Sequence, residues 1–439
     1  MTLDVRVSTG FSAPTAVAGD AAGGAQPVGW LGALAPGGLA LPDAAPTPSQ
    51  LYAPRGVWLD GERLIAVDTG NHRILIWHDP TPASHSPADV VLGQPDFHTE
   101  GAQAGGRGPR GGLRLPTGVL VHDGRLVVAD AWNHRILIWD DVPTTSDVAP
   151  DVVVGQPDAE SVDENRGSGC GPLGFYWPFG IAMVGGRLWV ADTGNRRLLA
   201  WDGVPEPDEP PAVVVGQSDA HSRDENGGQL GSHSFRWPHD LASDGRRLFI
   251  ADAGNHRLLG WTDVDASPGV PTRGPDRDVA ADLVFGQPDF ETAGEFPYAP
   301  QSATSLRFPY AVDVLAPDGG TVAAKRDEGD TVATERDDGD MVVAERDDGV
   351  MVVADTANNR VLVWDAVPTA TNTPADRVLG QHDITTSGEN RWDLVGEDTF
   401  CWPYGLSTHR GDDGTIRLAV ADSGNNRITM WQLTAGASG

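Results

Sequence analysis

Short apolar runs separated by Gly, Pro, Asp and Asn recur along most of the chain. In residues 187–201, an apolar run leads into Asp-Thr-Gly-Asn, and Arg-Leu-Leu-Ala-Trp follows. Runs of four to six residues rich in Val, Leu, Ile and Trp, bounded by turn-forming residues, predict β-strands. Asp and Asn can bond to nearby backbone groups and Gly tolerates positive φ, so Asp-Thr-Gly-Asn predicts a tight turn.

This unit occurs six times. The copies are Ala66–Trp77, Val128–Trp139, Val190–Trp201, Ile250–Trp261, Val353–Trp364 and Val420–Trp431. Their strands are apolar on both faces, so each small sheet must be covered on both sides. A ring of sheets packed face to face meets this requirement. We therefore predict an all-β fold, a six-bladed β-propeller of four-stranded antiparallel blades.

The repeat predicts one domain over residues 1–439. The blades are expected at about 54–98, 116–160, 178–220, 238–291, 309–385 and 403–433. The fifth blade carries an acidic insertion, 321–350, of three tandem ten-residue units that we interpret as copies of its second strand. The last blade lacks a fourth strand, so a strand within residues 1–53 is expected to close the ring. Thr15–Asp20 is the closer match in sequence and is our preference, while loop length favours Pro27–Leu31.

The repeated motifs resemble those of the NHL repeat family. Three copies read Asn71-His72-Arg73, Asn133-His134-Arg135 and Asn255-His256-Arg257, and the others have Asn-Arg-Arg or Asn-Asn-Arg. Val-Leu-Gly-Gln-Pro-Asp-Phe at 91–97 is similar to the outer strand of bacterial and archaeal members. The resemblance extends from about Leu51 to Trp431. It implies a propeller but no single activity, because members include lyases, sensor domains, RNA-binding modules and scaffolds.

The composition excludes some partners. The chain has 62 acidic and 31 basic residues, a formal net charge of −31, and Lys325 is its only lysine. This charge disfavours nucleic acid and anionic membranes, both of which attract Lys and Arg. The acidic excess is typical of halophilic proteins, in which salt screens self-repulsion. No signal peptide or apolar span is recognisable, so a soluble, cytoplasmic monomer is expected, with Cys170 and Cys401 as free thiols.

Residues shared by all six copies are expected to be structural, and a binding site is expected where the copies differ. The residue after the proline that begins each innermost strand is such a position. These residues are Arg55, Thr117, Phe179, His239, Tyr310 and Tyr404. In a propeller they converge at the mouth of the central channel, and their mixture of a cation, a His and aromatic rings is typical of a small-molecule site. Asp240, in place of Gly, and Trp132, in place of a turn Gly, are further candidates.

Two functions fit these residues. The first is a non-catalytic protein that binds a small ligand or a protein partner on the channel face. The second is a lyase or hydrolase with its site at the channel mouth, with or without the assistance of a metal. The resemblance implies His metal ligands together with Tyr and Arg in NHL-type lyases, but His239 is the only histidine at this position. We therefore expect no metal and no cofactor, favour the binding protein and assign no catalytic residues.

Overall fold

Six four-stranded antiparallel sheets form the body of the protein. The computed structural model describes residues 24–33, 45–262, 280–295, 300–316, 334–335, 341–342 and 349–434. Within these residues, the innermost strands of neighbouring sheets contact one another around a central channel. The predicted six-bladed propeller is thereby confirmed.

Blades one to five each run outward from the channel in chain order. Blade one contains Gly56–Leu59, Leu64–Asp68, Arg73–Trp77 and Val90–Leu92. Blade two contains Val119–His122, Arg125–Asp130, Arg135–Trp139 and Val152–Val154. Blade three contains Pro178–Val184, Arg187–Asp192, Arg197–Asp202 and Val213–Val215. Blade four contains Pro238–Ser243, Leu248–Asp252, Arg257–Trp261 and Leu283–Phe285.

Blade five contains Pro309–Leu315, Val350–Asp355, Arg360–Trp364 and Arg377–Leu379. Blade six contains Pro403–Arg410, Ile416–Asp422, Arg427–Leu433 and Ala25–Gly32. Short 3-10 helices are Thr69–Asn71, Ala131–Asn133, Glu164–Gly167, Thr193–Asn195, Glu225–Gly228, Ala253–Asn255, Thr356–Asn358, Glu389–Trp392 and Ser423–Asn425. Ala102–Gly106 forms a short turn in which Gln103, Ala104 and Gly105 have positive φ values. No helix in the described ranges is long and apolar enough to cross a membrane.

The Asp-Thr-Gly-Asn step is the predicted tight turn. Thr193–Asn195 forms a single 3-10 turn, and Arg196 after it adopts a left-handed conformation at φ 57°. The same geometry recurs at this position in all six blades. Every copy therefore reverses the chain in the same way and presents the residue after Asn at a fixed place.

A buried Asp–Asn–Arg knot holds each turn. In blade three, Asp192 accepts hydrogen bonds from the side chains of Asn195 (2.9 Å) and Arg197 (2.8 Å). The Arg197 guanidinium also donates to the carbonyls of Ala220, Gly171 and Gly174. The Asp–Arg pair recurs in each of the other blades. The repeated Asp, Asn and Arg are therefore structural, as expected of residues that all six copies share.

The tryptophans that end the third strands pack between blades. Each of the six is at most 6% exposed. Trp77 of blade one, for example, packs against Ala419 and Met430 of blade six. Because the wedge between adjacent sheets widens outward, a large side chain is needed there to keep close packing.

The ring is closed by an N-terminal strand, but not by the one that we preferred. Ala25–Gly32 pairs with Arg427–Leu433 in antiparallel register, with Leu31 opposite Ile428. Because this strand occupies the outer edge of blade six, the preference for Thr15–Asp20 is wrong. Residues 15–20 themselves lie outside the described residues. The closing strand contains Pro27–Leu31, the segment that loop length favoured.

The acidic insertion lies between two paired strands of blade five, Pro309–Leu315 and Val350–Asp355. Most of 321–350 lies outside the described residues. Two described pieces, Thr334–Glu335 and Met341–Val342, pair with each other in a two-stranded ribbon. The interpretation of the insertion as duplicated second strands stays a prediction.

Candidate functional site

Neighbouring blades are joined where each innermost strand begins. The donor is the backbone N–H of the residue that precedes the proline leading into this strand. The acceptor is the side chain of the residue immediately after the turn Asn in the preceding blade. Trp177 donates to His134 Nδ1 at 3.2 Å, and Trp402 donates to Asn359 Oδ1 at 3.0 Å. The equivalent pairs are Leu115–His72, Phe308–His256 and Ala53–Asn426. We call these five contacts the blade latches.

The latches hold residues in a sparsely populated backbone conformation. Trp177, Phe308 and Trp402 have φ values of 53°, 49° and 54° and precede proline, where the helical regions are disfavoured. Such geometry persists only where surrounding contacts enforce it. The latches therefore fix the direction in which each innermost strand enters the channel.

Blade three lacks the latch. Its residue after the turn Asn is Arg196, which has no acceptor atom. The Trp237 N–H instead contacts Asp252 Oδ1 within its own blade at 3.3 Å. Arg196 instead lines a cavity on the channel face.

Five of the six residues that follow these prolines form one continuous row of contacts at the channel mouth. The Phe179 and His239 rings lie 4.6 Å apart, and His239 stacks on Tyr310 at 4.3 Å with an interplanar angle of 12°. Tyr310 and Tyr404 are 4.6 Å apart, and the Arg55 guanidinium lies 4.8 Å from the Tyr404 ring centre. The expected convergence at the mouth is therefore observed. We call these five residues the channel row.

Thr117, the sixth residue at this position, takes no part in the row. It is buried, and its hydroxyl donates to the carbonyls of Pro178 and Phe179 in the next blade, both at 3.3 Å. At this position of the ring, Thr117 therefore forms a structural contact between blades two and three.

The channel row is the floor of a cavity of about 520 Å³, which we call the bowl. Trp132 and Trp177, 5.2 Å apart, form part of its wall together with Tyr176. Among the residues that the structure describes, the lining is Arg55, Trp132, Tyr176, Trp177, Phe179, Thr193, Gly194, Arg196, Arg223, Trp237, His239, Tyr310 and Tyr404. Six of the eight candidate residues, all except Thr117 and Asp240, thus line one cavity.

The titratable rings of the floor are neutral near pH 7. Burial lowers the pKa of His239 to about 4, although a hydrogen bond with the Trp237 carbonyl opposes that shift. Burial also raises the pKa of the Tyr310 and Tyr404 hydroxyls. Since a carbonyl can only accept, His239 Nδ1 carries the proton and its Nε2 is left as an acceptor.

Asp240 lies below the bowl, in a narrower channel cavity of about 210 Å³. Its carboxyl accepts a hydrogen bond from the Val312 N–H of blade five at 3.2 Å. Asp313, one blade further, accepts from the Thr408 hydroxyl of blade six at 2.7 Å. Burial, reinforced by Asp313, raises the pKa of Asp240 to about 8. His239 thus lines both cavities, whereas Asp240 lines only the channel cavity.

Asp240→Asn is expected to stabilise the protein by about 1–2 kcal/mol at pH 8. The folded state keeps the Asp240 proton up to about pH 8, whereas the unfolded chain releases it near pH 4. The free energy of unfolding therefore falls as the pH rises from about 4 to about 8, because unfolding releases this proton. The amide of the Asp240→Asn variant has no proton to release, and its oxygen can still accept the hydrogen bond from the Val312 N–H. Urea denaturation at pH 8 and pH 4 measures the effect. A gain of the same size at both values would contradict it.

No group of three or more His, Cys, Asp and Glu side chains suited to hold a metal occurs in the part of the chain that the structure describes. Both cysteines are free thiols, as expected. Burial raises the pKa of Cys401 to about 12, so this thiol is not activated.

Seven residues of the bowl were not predicted from the sequence: Tyr176, Trp177, Thr193, Gly194, Arg196, Arg223 and Trp237. One signal was available for Arg196. The residue after the turn Asn is His or Asn in the five other copies and Arg only in the third. A departure from the repeat at that position marks the missing latch.

Comparison with known proteins supports the fold. The sequence profile of the NHL repeat matches residues 235–261, which include His239 and Asp240. No curated protein matches the chain in sequence.

The solved structures to which the chain is similar include the following three. Virginiamycin B lyase from Staphylococcus aureus is 12% identical over 89% of this chain and 98% of that chain, with a TM-score of 0.39. A luciferin-regenerating enzyme is 12% identical over 90% and 94%, with a TM-score of 0.40. Regucalcin, a calcium-binding protein from Agrobacterium tumefaciens, is 11% identical over 93% and 94%, with a TM-score of 0.40. With its profile match in blade four, the chain carries an NHL repeat within a six-bladed β-propeller, as its recurring motifs predicted.

Proposed function

We propose that the protein binds a small, flat organic molecule in the bowl. The observation that carries this proposal is the channel row, in which four neighbouring rings and one guanidinium form a continuous floor. A concave, largely aromatic cavity with a few convergent polar groups is the usual form of a small-molecule site. The Trp132–Trp177 pair adds a second aromatic surface on the wall.

The floor is held rigidly. His239, Tyr310 and Tyr404 belong to the innermost strands of three successive blades, and blades five and six begin at latched residues. Rings fixed in this way lose little conformational entropy when a ligand binds, which favours affinity. The neutral His239 supplies an acceptor at Nε2, so a ligand with a donor group can be oriented.

An enzyme is the second candidate, and Asp240 is the observation that favours it. A carboxyl with a pKa of about 8 can take up and release a proton near neutral pH. Perturbed groups of this kind cluster at functional sites. Conversion of a bound compound with a pH inflection near 8, abolished in Asp240→Asn, would support this second function.

Tyr310→Ala is expected to weaken binding of a small aromatic ligand about tenfold, because it opens the middle of the row and removes two ring contacts. Native mass spectrometry of the full chain purified from its own lysate identifies the ligand, and calorimetry measures its affinity. Tyr52→Ala is the matched control, since Tyr52 is 46% exposed and lies outside the bowl. Equal affinity of both variants for the ligand would contradict the proposal. Purification of the chain with a protein partner and no small molecule would also contradict it.

A further inference from the structure

The charge of the bowl is opposite in sign to the net charge of the protein. The chain has a formal net charge of −31, yet the described residues that line the bowl include three arginines, Arg55, Arg196 and Arg223, and no Asp or Glu. One carboxylate, Glu164, lies near the wall, where it is hydrogen-bonded to Tyr176, but it is not part of the lining. Because the histidine and tyrosines of the floor are neutral, the arginines determine the charge of the bowl.

These arginines lack the partners that other arginines of the chain have. The six knot arginines each pair with a buried aspartate, and many surface arginines pair with carboxylates. In the described part of the chain, Arg55, Arg196 and Arg223 form no ion pair. The Nε atoms of Arg55 and Arg196 are buried without a hydrogen-bond acceptor. A buried donor without an acceptor is costly, and an oxyanion of a ligand would remove that cost.

Arg196 has also replaced a structural contact. At the same position in the repeat, His72, His134, His256, Asn359 and Asn426 each form a blade latch. Arg196 forms none, and its guanidinium instead donates to the carbonyl of Arg223 at 3.0 Å, which brings these two bowl residues together. Loss of a stabilising contact in one repeat only is the pattern expected where function competes with stability.

We infer that the ligand is an anion with a flat ring, such as an aromatic carboxylate. Its ring lies against the channel row, and its acidic group is held by Arg196 and Arg223, with Arg55 adding positive charge. Guanidinium groups pair with carboxylates through charge-assisted hydrogen bonds, often two at a time. This inference rests on the proposed function and specifies the ligand that it leaves open.

Three probes of the same shape test the charge requirement: 2-naphthoate, 2-naphthol and 2-naphthylmethylammonium. Calorimetry with the full chain at pH 7.5 is expected to show at least about tenfold tighter binding of 2-naphthoate than of 2-naphthol, and the weakest binding for the cation. The preference for the anion is expected to fall as salt is raised, since salt screens partly exposed charges. Equal binding of all three probes would overturn the inference and leave the proposed function intact. Failure of all three to bind would overturn both.

Arg196→His tests the residue itself. Histidine is the residue at this position in blades one, two and four, so the variant is compatible with the fold and can form a latch. The preference for 2-naphthoate over 2-naphthol is expected to fall about tenfold. Arg110→Gln is the control, because Arg110 is an exposed arginine paired with Glu160 outside the bowl. An unchanged preference in Arg196→His would overturn the inference.

Discussion

Arg197→Ala is expected to lower the free energy of unfolding by about 3–5 kcal/mol, the range found when one partner of a buried ion pair is removed. The substitution leaves Asp192 buried without its cation, and it removes the hydrogen bonds to Ala220, Gly171 and Gly174. Desolvation already raises the pKa of Asp192, so the loss of Arg197 deprives an unfavourably buried group of its main compensation. Urea denaturation followed by tryptophan fluorescence measures the change.

Arg110→Ala provides the comparison for that measurement. Arg110 also pairs with a carboxylate, Glu160, but both side chains are more than half exposed. Exposed pairs contribute little because water and salt screen them. The Arg110 variant is therefore expected to unfold like the parent protein. Losses of similar size in the two variants would show that the knot is not what holds the turn.

Acid is expected to weaken the protein through its histidine latches. His134 Nδ1 must be unprotonated to accept from Trp177, and burial lowers its pKa to about 4. Burial also lowers the pKa of His72 and His256, which form the same contact. Unfolded histidines take up protons near pH 6.5. The stabilisation is thus complete above about pH 6.5 and is lost between about pH 6.5 and 4. Within this range the free energy of unfolding falls by up to about 1.4 kcal/mol per pH unit for each proton that the unfolded chain binds and the folded protein does not.

His134→Asn isolates this effect from the carboxylates that titrate in the same range. Asn359 and Asn426 already form the latch in blades five and six, so asparagine keeps an acceptor and removes the titration. The variant is expected to lose less stability than the parent between pH 6.5 and 4.5 in urea denaturation. Identical slopes for the two proteins would contradict the proposed role of His134.

The fold could be predicted because the same physical requirements recur six times. Each copy needs an Asp, an Asn and an Arg for the knot and a Trp for the wedge between blades, so a single chain contains six consistent examples. The closing strand offered no such repetition. Thr15–Asp20 resembles an outer strand in its local sequence. The strand that pairs with Arg427–Leu433 must also lie at the right distance along the chain from blade one, because a loop connects the two. Ala25–Gly32 meets this requirement on loop length.

The channel row was predictable because position in the repeat fixes which residues face the axis. The wall of the bowl was not, because Tyr176, Trp177 and Arg223 belong to connections whose course depends on packing across blades. Asp240 shows a related limit. Sequence placed it beside His239, but the alternation of a strand turns its carboxyl toward Val312 in the channel below.

The pairing of Ala25–Gly32 with Arg427–Leu433 ties closure of the ring to the synthesis of its last strand. Ala25–Gly32 is synthesised before the six blades' other strands, and its partner follows about 400 residues later, which takes about 20–80 s at common elongation rates. Throughout that time the nascent chain has several finished sheets but no closed ring, and Ala25–Gly32 remains an unpaired β-strand. This interval is when the protein is most exposed to pairing with other chains, and synthesis of residue 433 ends it.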